Sequence, residues 1–245
     1  MTTTARPLGP SPDLQRELDA ATSRLLTTVD AMTAEEWSAP SVLPDWTRAH
    51  VLAHLALNAE ALAGVVAALG RGEPAAMYTT NEVRDADIDA LVQDATDAVQ
   101  ARLRAGCAAI GNGVRHAPEA VWLGDFQRVP GDPDISAPLL HTMRHREVEI
   151  HHADLQLGYR HTDWPEAFSQ ALVETVVVDR ADRGPFTVVA DDLGGRWTVG
   201  EGDGPTVHGA AADLGWWLVG RGSGEGLTCD AALPDLGAWR GAKRP

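Results

Sequence analysis

Two stretches of this chain carry side chains whose type and spacing could do chemistry. Leu139 to Asp154 is LLHTMRHREVEIHHAD, and Trp46 to Leu62 is WTRAHVLAHLALNAEAL. On a helix advancing 100° per residue, Leu139, Leu140, Met143, Glu147, Ile150, His151, Asp154 and Leu155 fall on one side of the first stretch. Glu147 and His151 therefore stand inside an apolar stripe. His145, Glu149 and His152 fall with Thr142 and Gln156 on the opposite side, which is read as a solvated face. In the second stretch the stripe of Val51, Leu55, Leu62, Val65 and Leu69 also holds His54 and Asn58. His50 lies at the edge of that stripe and is set aside.

A carboxylate and an imidazole one turn apart on a core-facing stripe are costly to desolvate unless a compensating charge meets them. A metal ion meets them most simply, with His54 as the third ligand. Two imidazoles and one carboxylate without a fourth protein ligand is the pattern of a catalytic zinc site with an open position. The same residues admit a plainer reading, in which His54 is a satisfied core histidine and Glu147 and His151 pair with each other and a nearby arginine.

The elements that must position these residues follow from caps and periodicity. Ser11 and Pro12 open a helix to about Met32, and Thr33 to Glu36 is a capping box. The helix carrying His54 ends at Gly70 or Gly72. Residues 73–78 form a crossing loop, and an acidic helix runs from Asn81 to about Ile110 with ordinary core spacing. Residues 111–138 are rich in Gly and Pro, with a short hairpin around Trp122 to Val129. A further helix follows Pro138. Residues 158–165 are read as a linker, followed by a helix from Glu166 to about Asp179, strands at 186–190, 196–199 and 205–208, and a helix at 210–219. The expected fold is α+β: a four-helix bundle over residues 1–158 and a small α+β domain over 159–245. Residues 1–10 are expected to be loose.

Composition bounds the function. With Lys+Arg of 20 against Asp+Glu of 35 and a net charge of −15, a nucleic-acid partner is not expected. No apolar run approaches the ~20 residues of a membrane span, and the N-terminal residues lack the basic and apolar regions of a signal peptide. A cytoplasmic protein without a membrane partner is expected, as a monomer or small homo-oligomer. Cys107 and Cys229 have no partner at metal or redox spacing, so a thiol in the chemistry would come from outside the chain. RGSGEG lacks the strand-turn-helix context of a dinucleotide site.

The runs DWTRAHVLAHLALNAEAL, EPAAMY, MRHREVEIHHADL and GRGSGEG resemble mycothiol-dependent maleylpyruvate isomerase, whose N-terminal half is a DinB-like helical bundle. The resemblance implies zinc held by His54, Glu147 and His151, with mycothiol or another low-molecular-weight thiol as cofactor. It implies isomerisation of maleylpyruvate to fumarylpyruvate by thiolate addition, bond rotation and elimination. Arg221 matches the family's functional arginine and is assigned to the substrate carboxylate or enolate, where a preorganised cation is needed. Without the resemblance, Arg221 would be read as a cap on the preceding helix. Asn58, Arg144 and Tyr78 are taken as cofactor-binding, with Arg144 either an anion contact or an ion-pair partner. Asp154 is taken as the acceptor behind His151. The alternative function is a zinc-dependent small-thiol S-transferase acting on another electrophile; a non-catalytic bundle with a structural polar triad is a further rival.

Overall fold

In the computed structural model, residues 9–237 and 239 are described, and the expectation for residues 1–8 lies outside them. The chain forms two compact units, residues 1–157 and 158–245. The first unit contains α1 (Pro12–Ala31), α2 (Ala34–Ser38), α3 (Arg48–Gly70), α4 (Asn81–Leu91) and α5 (Thr96–His116), then the strands β1 (Asp125–Phe126) and β2 (Ile135–Ser136), and finally α6 (Leu139–Asp154). The second contains α7 (Glu166–Asp179), β3 (Phe186–Ala190), β4 (Gly195–Val199), β5 (Thr206–Gly209), α8 (Ala211–Leu218) and β6 (Thr228–Cys229). This is the α+β class that the sequence predicts.

Caps fix the early helix ends. Ser11 accepts from the Leu14 amide at the start of α1, with proline at the first position. Thr33 and Glu36 close a reciprocal capping box on α2. His50 proves to be local: its Nδ1 accepts from the Thr47 amide at the start of α3.

Helix α3 is the centre of the bundle, packed by α5, α6, α4 and α2. From Val51 to Ala56 every residue is buried, so its first turns are enclosed on all sides rather than along one stripe. By length and composition α3 could cross a membrane, contrary to the expectation that no run would; only Glu60 is charged after Arg48. Its burial identifies it as the core helix of this unit. Close approach to α5 is permitted by small residues: a Cβ placed on Gly106 would stand 3.1 Å from the Ala59 Cβ and 3.2 Å from the Ala56 carbonyl oxygen.

Three expectations need correction. The acidic helix is two helices, broken at residues 92–95, where Val92 caps α4 and Ala95 is extended. No glycine or proline marks the break; each helix meets α3 with its own buried residues, Ile88 and Leu91 on α4, Val99 and Leu103 on α5. The hairpin exists, but its strands are two residues each and pair Asp125 with Ser136 and Phe126 with Ile135. The stretch read as a linker is packed into the second unit: His161 stacks on Trp216 at 5.0 Å and bonds Asp213, and Trp164 is buried. Aromatic burial, which composition alone did not weigh, overrides the Gly/Pro signal there.

The second unit has a four-stranded sheet in the order β4-β3-β5-β6. Strand β3 runs antiparallel to β4 and parallel to β5, and β6 is antiparallel to β5. Phe186, Val188 and Ala190 alternate inward along β3, and Phe186 meets Trp217 of α8 at 5.6 Å.

Two glycines make the packing testable. Gly106→Val must push against backbone as well as Ala59, so a loss of about 2–3 kcal/mol is expected. Gly64, on α3, has nothing within 4 Å of an added Cβ. Gly64→Ala should gain up to about 1 kcal/mol from helix propensity. Urea midpoints of the two variants against the parent check both signs.

Candidate metal centre

Helices α3 and α6 pack together and bring His54, Glu147 and His151 to one place. One ligand atom from each lies within 4.8 Å of the others. His54 Nε2 is 2.8 Å and His151 Nε2 3.3 Å from the same carboxylate oxygen, Glu147 Oε2. The two rings meet edge-on, with centroids 4.8 Å apart. Glu147 keeps 29% of its side-chain surface exposed while His54 keeps 6%, so the carboxylate marks the open side.

Each imidazole is contacted from behind. His151 Nδ1 donates to Asp154 Oδ2 at 2.8 Å, and Asp154 is fully buried. Such a carboxylate behind an imidazole fixes its tautomer and raises its basicity. Arg84 Nη2 donates to His54 Nδ1 at 3.1 Å, which leaves the ring proton on Nε2, facing Glu147. Nδ1 cannot both accept from Arg84 and carry the ring proton, so ligation through Nε2 requires that contact to open.

The electrostatics favour a cation. Burial alone would raise the Glu147 carboxyl, but the charges and hydrogen bonds of His54 and His151 outweigh it and hold it well below its usual range. Burial pushes His54 down to about 4, against the pull of Glu147 and with help from His151 and Arg84. Burial also disfavours His151⁺, but hydrogen bonds to Asp154 and Glu147 prevail and raise it. Three convergent donors of types that bind zinc, one already ionised and one already neutral at pH 7, fit a divalent metal.

Asn58 lies one turn beyond His54 and is 2% exposed. Arg144 is 1% exposed, and Nη1 donates to Asn58 Oδ1 at 2.8 Å and to the Leu55 carbonyl at 3.0 Å, while Nη2 reaches Cys107 Sγ at 3.2 Å. Among the described residues it therefore has no carboxylate partner, it lacks surface exposure, and it holds Asn58 in place. Burial and the charge of Glu147 raise the Tyr78 hydroxyl above its usual pKa, with Arg84, Arg128 and Asn58 pulling it the other way. The loop carrying Tyr78 is laddered onto the chain after β1: the Met77 amide donates to the Gln127 carbonyl and the Tyr78 amide to the Arg128 carbonyl. This ladder stacks Arg128 on the Tyr78 ring at 5.4 Å, with Arg84 at 5.7 Å. Sequence reasoning missed both arginines; Arg84 is masked by its acidic neighbours and Arg128 by its loop.

The face of α6 read as solvated is buried. His145 is 7%, Glu149 0% and His152 1% exposed. Helix α6 lies between α3 and α1, and α1 covers this face: Arg24 Nη2 donates to Glu149 Oε1 at 2.6 Å, and Thr28 Oγ1 meets His152 Nε2 at 2.8 Å. Leu139, placed on the apolar stripe, is 53% exposed. Arg221 belongs to the second unit, where its Nη1 donates to the Val219 carbonyl at 3.0 Å, just past the end of α8.

Helices α3 and α6 thus converge two imidazoles and a carboxylate, with Arg84 behind His54 and Asp154 behind His151, an arrangement whose donors fit a metal centre. A family model described as the mycothiol maleylpyruvate isomerase N-terminal domain matches residues 18–156, and the chain belongs to that family. Among solved structures, the chain is similar to the crystal structure of a mycothiol-dependent maleylpyruvate isomerase, with 25% identity, a TM-score of 0.86, and coverage of 98% of this chain and 100% of that one. A histidine-to-alanine variant of that isomerase gives the same values. Comparison with curated proteins gives no match.

Two outcomes follow from this geometry. His151→Ala should abolish stoichiometric zinc binding, whereas His152→Ala should keep the metal and lose about 1–3 kcal/mol of stability through Thr28 and the vacated space; metal analysis and denaturation read the two separately. His141, 2% exposed, is pushed by burial to about 4, below its ordinary 6.5. The unfolded chain then binds more protons than the folded one between these values, so stability should fall as pH drops from 6.5 towards 4. His141→Leu should flatten part of that fall in urea titrations, with His54 responsible for a similar share.

Proposed function

We propose that this chain is a zinc- and mycothiol-dependent maleylpyruvate isomerase. The reading is carried by the convergence of His54, Glu147 and His151 within 4.8 Å in a unit that matches the isomerase family's N-terminal domain. The reaction is the conversion of maleylpyruvate to fumarylpyruvate by reversible thiolate addition to the cis double bond. Addition leaves a single bond free to rotate, and elimination returns the thiol, so neither water nor a redox partner is consumed. Zinc held by the three ligands would supply the positive charge that keeps a small thiol, with a free pKa near ~8.5, in its reactive thiolate form.

The chain's own residues supply the rest. Asp154 holds His151 with Nε2 turned to Glu147. Arg144 fixes Asn58, and Asn58 and Tyr78 are assigned to the thiol cofactor beside the ligands. Arg221 is assigned to the substrate's carboxylate or developing enolate, on the resemblance of its GRGSGEG run to the family.

The direct test is to incubate the zinc protein with maleylpyruvate and a panel of small thiols, following loss of the cis isomer. Isomerisation with mycothiol and return of free thiol is the expected result; a stable thiol adduct would point to an S-transferase instead. For Arg221, replacement by Lys keeps charge but loses the planar fork, so turnover should fall by ~10²–10³. Were the Val219 contact its whole role, Lys would preserve activity and cost only ~0.3–1 kcal/mol of stability. Turnover and melting temperature measured together decide between the two.

A further inference from the structure

Seven arginines of the N-terminal unit pair with a carboxylate within 4.0 Å. Arg128 does not. Its carbonyl is engaged by the Tyr78 amide, but among the described residues its guanidinium meets only the face of the Tyr78 ring. A half-buried guanidinium with its donors unused, in a chain of net charge −15, lacks the anion that would complete it. On the same ring lies Arg84, whose Nε is also buried without a partner while Nη2 contacts His54. The Tyr78 side chain meets Asn58 and lies within the field of Glu147. The Tyr78 ring, with Arg84 between it and His54, thus connects Arg128 to the candidate ligands.

We propose that Arg128 is a carboxylate-binding residue of this site, taking a carboxylate of a small conjugated diacid, while Arg84, already paired with Asp85, ties the Tyr78 ring to His54. The assignment rests on the isomerase reading for the identity of the diacid, but not for the existence of the grip. A guanidinium offers a carboxylate two parallel hydrogen bonds, and contact with the Tyr78 ring restricts the side chain in advance, so less side-chain freedom is lost on binding. The backbone ladder between residues 77–78 and 127–128 keeps the stack in register. Specificity for a charged electrophile over a neutral one would originate here.

The test uses the full zinc-loaded protein and maleate as the probe, with dissociation constants from calorimetry. Arg128→Gln should weaken maleate about 10- to 100-fold, the range for losing a hydrogen bond to a charged group. Zinc content and mycothiol affinity should stay within about twofold. Arg128→Lys, which keeps the charge and the stem over Tyr78, should recover part of the loss and serves as the folded control. Unchanged maleate affinity in both variants would overturn the assignment. Equal weakening of maleate and mycothiol would do the same, because it would make Arg128 a packing residue of the Tyr78 loop. Failure of the parent to isomerise maleylpyruvate, with maleate binding still dependent on Arg128, would remove the isomerase reading and leave the grip standing.

Discussion

The constraint on which the N-terminal unit depends is the desolvation of Glu147 between two imidazoles. A carboxylate taken from water into a helical bundle is tolerable only when positive charge and donors surround it. Here His54 and His151 reach the same oxygen, and each is itself backed by a charged group, Arg84 and Asp154. Glu147 thus sits where α3 and α6 meet, and the two imidazoles that reach it come one from each helix.

A second polar layer stands on the far side of α6. Arg24 and Thr28 of α1 satisfy Glu149 and His152 there, so α6 carries ionisable groups on two opposite faces, both inside the protein. The difference between the layers lies in the partner. Towards α1, an arginine already neutralises the carboxylate. Towards α3, among the described residues, only imidazoles reach the carboxylate, which leaves a donor set that fits a divalent cation. The same residue types are closed off by α1 on one face and converge as a candidate metal centre on the other.

The convergence of His54, Glu147 and His151 was legible in the sequence because they obey helical spacing against an apolar background, and the α+β class was legible from caps and turn residues. What the sequence hid depends on neighbours. A helical wheel assumes one buried side, whereas α6 has two, so His145, Glu149 and His152 looked solvated. The break at residues 92–95 has no glycine or proline to announce it. Arg144, which could have faced an anion, is consumed by Leu55, Asn58 and Cys107. Arg128 becomes informative only once its lack of a carboxylate is visible, and that is a property of contacts rather than of sequence.

The ligands are unevenly spaced along the chain. Glu147 and His151 are a single turn apart and can come together as soon as α6 forms, but His54 is 93 residues from Glu147. Closing a loop of that length costs chain entropy that grows as the logarithm of its length, and contacts so remote in sequence form late. A nascent α6 therefore presents a two-ligand fragment of low affinity, and the complete set exists only after the bundle has condensed. Metal uptake at this trio would then report successful folding rather than trigger it, and bound metal would act afterwards as a clasp that slows unfolding.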